Sequence, residues 1–119
     1  MSDSIFTKII KGDIPSYKIL ENENFISFLD INPIKEGHTL VVPKLQVDYI
    51  YDLPKDIFTG LFNFSKIVAQ KLERAIECDR IGISVVGLEV PHAHIHLIPI
   101  SEISDMSFEK SRLHPSKIE

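Results

Sequence analysis

Hydrophobic spacing along the chain switches between a helical and a strand period, and the switches mark out its elements. Phe6, Ile9 and Ile10 are spaced for a short N-terminal helix that Gly12 and Pro15 end. Tyr17 to Leu20 and Phe25 to Asp30 read as strands, with the polar run Glu21 to Asn24 as the turn between them. Asn32-Pro33 and Gly37 punctuate a loop before a third strand, His38 to Val42, which Pro43 closes. Ile50 and Leu53 suit a brief helical turn. From Pro54 to about Ile76, the positions Ile57, Leu61, Phe64, Val68 and Leu72 form a helical stripe that Phe58, Phe62 and Ile67 widen. Ile81 to Val86 and Ala93 to Ile100 supply strands four and five. Short turns between strands, with helices set between groups of them, predict an α+β fold. Its sheet is mainly antiparallel and five-stranded, with one long helix and one or two short ones.

The fifth strand carries the chemistry. Pro91-His92-Ala93-His94-Ile95-His96-Leu97 alternates imidazoles with apolar side chains. Successive strand side chains point to opposite faces, so His92, His94 and His96 are expected on one face and Ala93, Ile95 and Leu97 in the core. Packing gains little from three imidazoles in a row. A histidine near neutrality is a nucleophile, a proton donor or a metal ligand. The middle one, His94, has a potential partner on either side and is the natural nucleophile.

His92 to Ile98 resembles the signature of the histidine-triad (HIT) family, three histidines alternating with apolar residues. Ser4 to Pro15, Phe28 to Pro33 and Gly37 to Lys44 resemble that family's opening and middle blocks, in family order, over about 100 residues, the span of one domain. The resemblance implies one HIT-like domain over residues 1–119, with a C-terminal tail from about 101 to 119 that has no clear family counterpart. It implies a nucleotide-binding hydrolase or transferase acting at the α-phosphate of a nucleoside monophosphate conjugate, a phosphoramidate or a phosphoanhydride. His94 would attack phosphorus to form a nucleotidyl-histidine. His96 and His38 would hold or protonate phosphate oxygens and the leaving group, and His92 would orient His94, its carbonyl fixing the tautomer. Asp30 would accept from the ribose hydroxyls of a purine nucleotide such as AMP. Ile5, Phe6 and Ile31 would form the slot for the base, and Gly87 would let backbone approach the phosphate.

Composition sets the setting. Net charge is −4 with 44% apolar and 25% charged residues, ordinary for a globular protein and unsuited to a nucleic-acid backbone as partner. No apolar run approaches a membrane span and no signal segment opens the chain, while the lone Cys78 fits a reducing compartment, so a cytoplasmic protein without membrane partner is expected. The wide stripe on the long helix, together with the resemblance, predicts a homodimer.

Two departures from the family pattern matter. Many members hold a structural zinc with two cysteines and two histidines; here those positions are Ser4, Thr7, Gln46 and His92, so neither metal nor other cofactor is expected. The run Val85-Val86-Gly87-Leu88-Glu89-Val90-Pro91 is several residues shorter than the family loop and lacks its asparagine. Glu89 stands where a phosphate-contacting serine is usual, and a carboxylate there repels phosphate unless it turns away. Two other readings stay open at this point: a catalytically weak nucleotide-binding or adaptor protein, and a β-domain that uses the histidines as metal ligands.

Overall fold

Ser4 starts the first helix, α1 (Ile5–Ile10), by accepting the Thr7 N–H on its hydroxyl oxygen at 3.0 Å. A cap of this kind stabilises a helix by about 1 kcal/mol. Gly12 ends it. With φ at +84° its N–H reaches the Ile9 carbonyl, and the Asp13 N–H reaches Lys8 O at 2.8 Å, the double closure that favours glycine after a helix. The computed structural model describes residues 2–109.

The strands are β1 (Lys18–Glu21), β2 (Phe25–Leu29), β3 (Thr39–Pro43), β4 (Arg80–Ser84) and β5 (Ile95–Ile100), and the long helix is α2 (Lys55–Ala75). They form one antiparallel sheet in the order β1-β2-β3-β5-β4, the α+β architecture expected from the spacing. A short 3-10 turn over Ile50–Asp52 stands where the Ile50/Leu53 spacing suggested one, and another follows β5 at Ile103–Met106.

Alternation sorts the strands into two faces. Phe25, Val41, Ile95 and Leu97 pack under Leu61, Phe64, Val68 and Leu72 of α2, and Ala93 joins them. On the other face Ile26, Phe28, Leu40 and Val42 pack with Phe6 of α1. His96 is paired across the ladder with Leu40, so its side chain stands on the α1 face. Burying a whole Phe or Leu side chain contributes on the order of 2 kcal/mol, so the α2 layer fixes the sheet on which the histidines sit.

The widened stripe of α2 divides. Leu61, Phe64, Val68 and Leu72 are buried, whereas Phe62 and Ile67 are exposed. Phe62 continues a row of rings, Phe58 at 5.2 Å and then Tyr51 at 6.2 Å from Phe58.

Candidate active site

The fifth strand starts later than its alternation suggests. The ladder begins at Ile95, because the His92 N–H turns back to Val90 O at 2.8 Å and the Ala93 N–H goes to Val47 O at 2.7 Å. Only His96 of the triplet is a strand residue. The alternation nevertheless persists: Ala93, Ile95 and Leu97 are buried on the α2 side, while Phe6 on the opposite side meets the rings of His92 and His94 at 5.8 and 4.9 Å.

Hydrogen bonds dictate the tautomers. His94 Nδ1 lies 2.7 Å from the His92 carbonyl, which only accepts, so Nδ1 carries the hydrogen and Nε2 the lone pair. Among the described residues no buried side-chain nitrogen or oxygen lacks a partner. Among the described residues Nε2 of His94 has no hydrogen-bond partner, and it therefore keeps some exposure. Burial, the largest influence, holds His94 below the ordinary histidine range, against the His92 carbonyl and the Asp30 and Glu89 charges that act the other way. The ring is thus neutral at pH 7, with a nucleophilic nitrogen available.

His38 ends the loop before β3, where Gly37 turns the chain at φ +85°. A side chain on Gly37 would strike Ile76 and Pro99, so glycine is required there on two counts. The Ile34 N–H donates to His38 Nδ1 at 3.1 Å, which leaves the hydrogen of a neutral ring on Nε2. That nitrogen lies 2.9 Å from His96 Nδ1 and 3.6 Å from Asp30 Oδ2. His38 therefore donates to His96, and His96 keeps its own hydrogen on Nε2. The His94 and His96 rings meet at 4.8 Å between centroids, a lone-pair imidazole beside an N–H imidazole.

Asp30 follows β2 and also accepts the Asn32 N–H at 2.9 Å. The three apolar residues expected around a base are placed differently from one another. Phe6 is buried against His94, whereas Ile5 and Ile31 are exposed at 45% and 73%, available to a ligand and not to the core. Gly87, at φ +76°, has open space where a side chain would be. Val86, Gly87, Leu88, Glu89, His94, His96 and Phe108 enclose a cleft of about 180 Å³, so Glu89 lies at the same opening as the two imidazoles. A second cleft of about 350 Å³ meets it at His94 and is walled by Tyr49, Tyr51, Phe58 and Phe62.

Phe108 was not legible as a site residue. Its ring stands edge-on to His96 at 4.7 Å and to His38 at 6.1 Å. It is brought there by the turn at 103–106, where Asp105 Oδ2 accepts the Ser101 and Glu102 N–H groups at 2.9 and 3.1 Å. The spacing Glu102-x-x-Asp105 is the signal that could have revealed that turn. The rest of the tail, 110–119, lies outside the described residues.

Two clusters invite a metal. Ligand atoms of Asp30, His38 and His96 lie within 4.8 Å of one another. His38 would have to present Nε2 as a lone pair, yet Ile34 already occupies Nδ1, so ligation would break that bond; the arrangement suits proton donation better. At the other cluster Ser4, Thr7, Gln46 and His92 offer two hydroxyls, an amide and one ring. His92 uses both nitrogens, toward Pro43 O at 2.8 Å and Ser4 Oγ at 2.6 Å. Such a donor set does not fit Zn²⁺, which takes thiolate, imidazole or carboxylate.

The chain matches the HIT domain family over residues 11–103. It is similar to an adenosine 5'-monophosphoramidase of Saccharomyces cerevisiae, 37% identical over 100 residues that cover 80% of this chain and 61% of that protein. It is also similar to an adenylylsulfatase of Arabidopsis thaliana, 28% identical over a 124-residue alignment covering 99% of this chain and 63% of the relative. It thus spans less than two thirds of either relative. The crystal structure of a Zn-bound histidine triad family protein from Mycobacterium smegmatis superposes with a TM-score of 0.82 at 30% identity, covering 94% of this chain and 83% of that one. The family match, which spans well over half of the chain, shows that the chain belongs to the HIT domain family.

Proposed function

We propose that this protein hydrolyses nucleoside monophosphate conjugates at the α-phosphorus through a nucleotidyl-histidine at His94. The observation that carries the reading is the 2.7 Å bond from His94 Nδ1 to the His92 carbonyl, which leaves Nε2 as the attacking nitrogen. In the first step Nε2 bonds to phosphorus as the bond to the leaving group breaks. The His38–His96 pair takes up one proton as the anionic substrate binds, and the leaving group receives a proton from His96 Nε2, which returns the pair to neutrality. In the second step water attacks phosphorus, returns a proton to His96 and releases His94. Asp30 receives the ribose hydroxyls, Ile5, Phe6 and Ile31 flank the base, and the Gly87 backbone approaches the phosphate. The names of the yeast and Arabidopsis relatives support this substrate class.

Glu89 narrows the leaving group. A carboxylate lining the cleft repels a departing phosphate or sulfate and favours an amine, whose nitrogen gains positive charge as it is protonated and then leaves neutral. A phosphoramidate is therefore the favoured conjugate. An adenosine monophosphate–amine conjugate should be turned over to AMP and free amine, faster than the matching phosphoanhydride. Binding of AMP without any turnover of either would contradict the proposal and leave a binding or adaptor protein.

The active unit is proposed to be a homodimer. Phe62 of α2 and Val85 and Val86, just after β4, are exposed and wall one cleft, and Ile67 of α2 and Ile83 of β4 are exposed as well. β4 is also one of the two edge strands of the sheet. Light scattering at micromolar concentration should give twice the 13.5 kDa chain mass. A stable monomer at that concentration would contradict the dimer.

A further inference from the structure

The residues at the ill-fitting metal positions are not idle. Ser4 Oγ accepts the Thr7 N–H at 3.0 Å and lies 2.6 Å from His92 Nδ1. His92 Nε2 faces the Pro43 carbonyl at 2.8 Å, so Nε2 must donate; burial keeps the ring neutral, so Nδ1 must accept. The Ser4 hydroxyl is then the donor to His92. Thr7 Oγ1 donates to Gln46 Oε1 at 2.6 Å, Gln46 Oε1 also accepts the Ser4 N–H at 2.8 Å, and Gln46 Nε2 donates to Ser2 O at 3.0 Å. Each donor in this set has an acceptor. Ser4 is 6% exposed and His92 is fully buried.

This network joins three parts of the fold at one ring. The start of α1 holds His92 Nδ1 and the end of β3 holds Nε2. Val47, next to Gln46, holds the Ala93 N–H at 2.7 Å. The held ring fixes the peptide that carries the His92 carbonyl, and that carbonyl fixes the His94 tautomer at 2.7 Å. We infer that Ser4, Thr7 and Gln46 form a metal-free hydrogen-bonded clamp on His92, and that Ser4 is thereby a positioning residue for His94. The inference rests on the proposed role of His94 for its kinetic consequence only. The clamp itself is a statement about hydrogen bonds and is readable without substrate.

The decisive variant is Ser4→Gly. Glycine is nearly as good a helix cap as serine, so α1 keeps its start, but the donor to His92 is gone. Long-range ¹H–¹⁵N correlation of the imidazoles reads the clamp directly. Wild type should show His92 as the Nε2–H tautomer and His94 as the Nδ1–H tautomer. Ser4→Gly should shift the His92 Nδ1 resonance and mix the His94 tautomers. Turnover of the AMP–amine conjugate should fall on the order of ten-fold in kcat, the lower range for losing a partner that orients an imidazole, with KM within about two-fold. Ser4→Thr, which keeps the hydroxyl, should restore both the resonances and kcat. Elemental analysis of the dialysed wild type should find well under one metal per chain.

Unchanged imidazole resonances in Ser4→Gly would overturn the clamp, as would stoichiometric zinc that survives dialysis. Altered resonances with unchanged kcat would overturn the positioning role of Ser4. A wild type that shows the expected tautomers but no turnover would refute the proposed activity and leave the clamp standing.

Discussion

Replacing His94 with alanine should abolish turnover of an AMP–amine conjugate, by about 1,000-fold or more, while AMP binding stays within about ten-fold of wild type. A thousand-fold loss corresponds to about 4 kcal/mol of transition-state stabilisation, more than one ordinary hydrogen bond contributes. Loss of the attacking nitrogen closes the covalent route outright. The ligand keeps Asp30, His96, His38 and the Gly87 backbone, so the ground-state complex survives. Steady-state turnover paired with AMP titration separates the two effects. The same residue sets the acid limb of the pH profile. Protonation removes the Nε2 lone pair, and burial holds the His94 pKa below the ordinary histidine value. Activity limited by this group should therefore persist as pH falls through 6.5 and decline only at more acid pH, where His94 takes up its proton.

His96→Ala should be the second most damaging change, costing on the order of 100-fold in kcat. Its Nε2–H is the hydrogen placed beside His94 by a chain that starts at the Ile34 N–H and passes through His38. A proton donor matters in proportion to the leaving group's need for one. An alkylamine, strongly basic, should show the full loss. A conjugate whose leaving group departs readily as an anion should recover most of the rate in the same variant. Equal losses for both leaving groups would mean that His96 holds phosphate oxygens and does not supply the proton. Comparing the two substrates in one variant thus assigns the role without relying on the size of either loss.

Local pattern revealed much of the fold. The helical spacing of Phe6, Ile9 and Ile10, closed by Gly12, and the short apolar runs around Phe25 and Val41, bounded by turn residues, are patterns that local sterics and burial enforce directly. The start of β5 was not legible, because it depends on a tertiary bond: the Ala93 N–H goes to Val47 O, a partner 46 positions away along the chain. The imidazole row was visible as residue types, and the family resemblance already implied the His92 carbonyl on His94, but the tautomers of His92 and His38 were not legible. They are set by Pro43 and Ile34, backbone groups whose positions no side-chain pattern encodes. Ser4, Thr7 and Gln46 read in sequence as lost metal ligands, and only their mutual distances reveal a hydrogen-bonded set. Phe108 was hidden for a related reason, since an aromatic in a tail shows its contact only once the turn at 103–106 brings it back over His96.

The central claim is a covalent bond between phosphorus and one named nitrogen. Wild-type protein mixed with a labelled AMP–amine conjugate and quenched in the pre-steady state should carry label in the peptide containing residues 92–98, on His94. The adduct should be lost on mild acid treatment, as a phosphorus–nitrogen bond is, and be absent from His94→Ala. Label on His96 or His38 would contradict the account, as would full turnover with no trapped adduct.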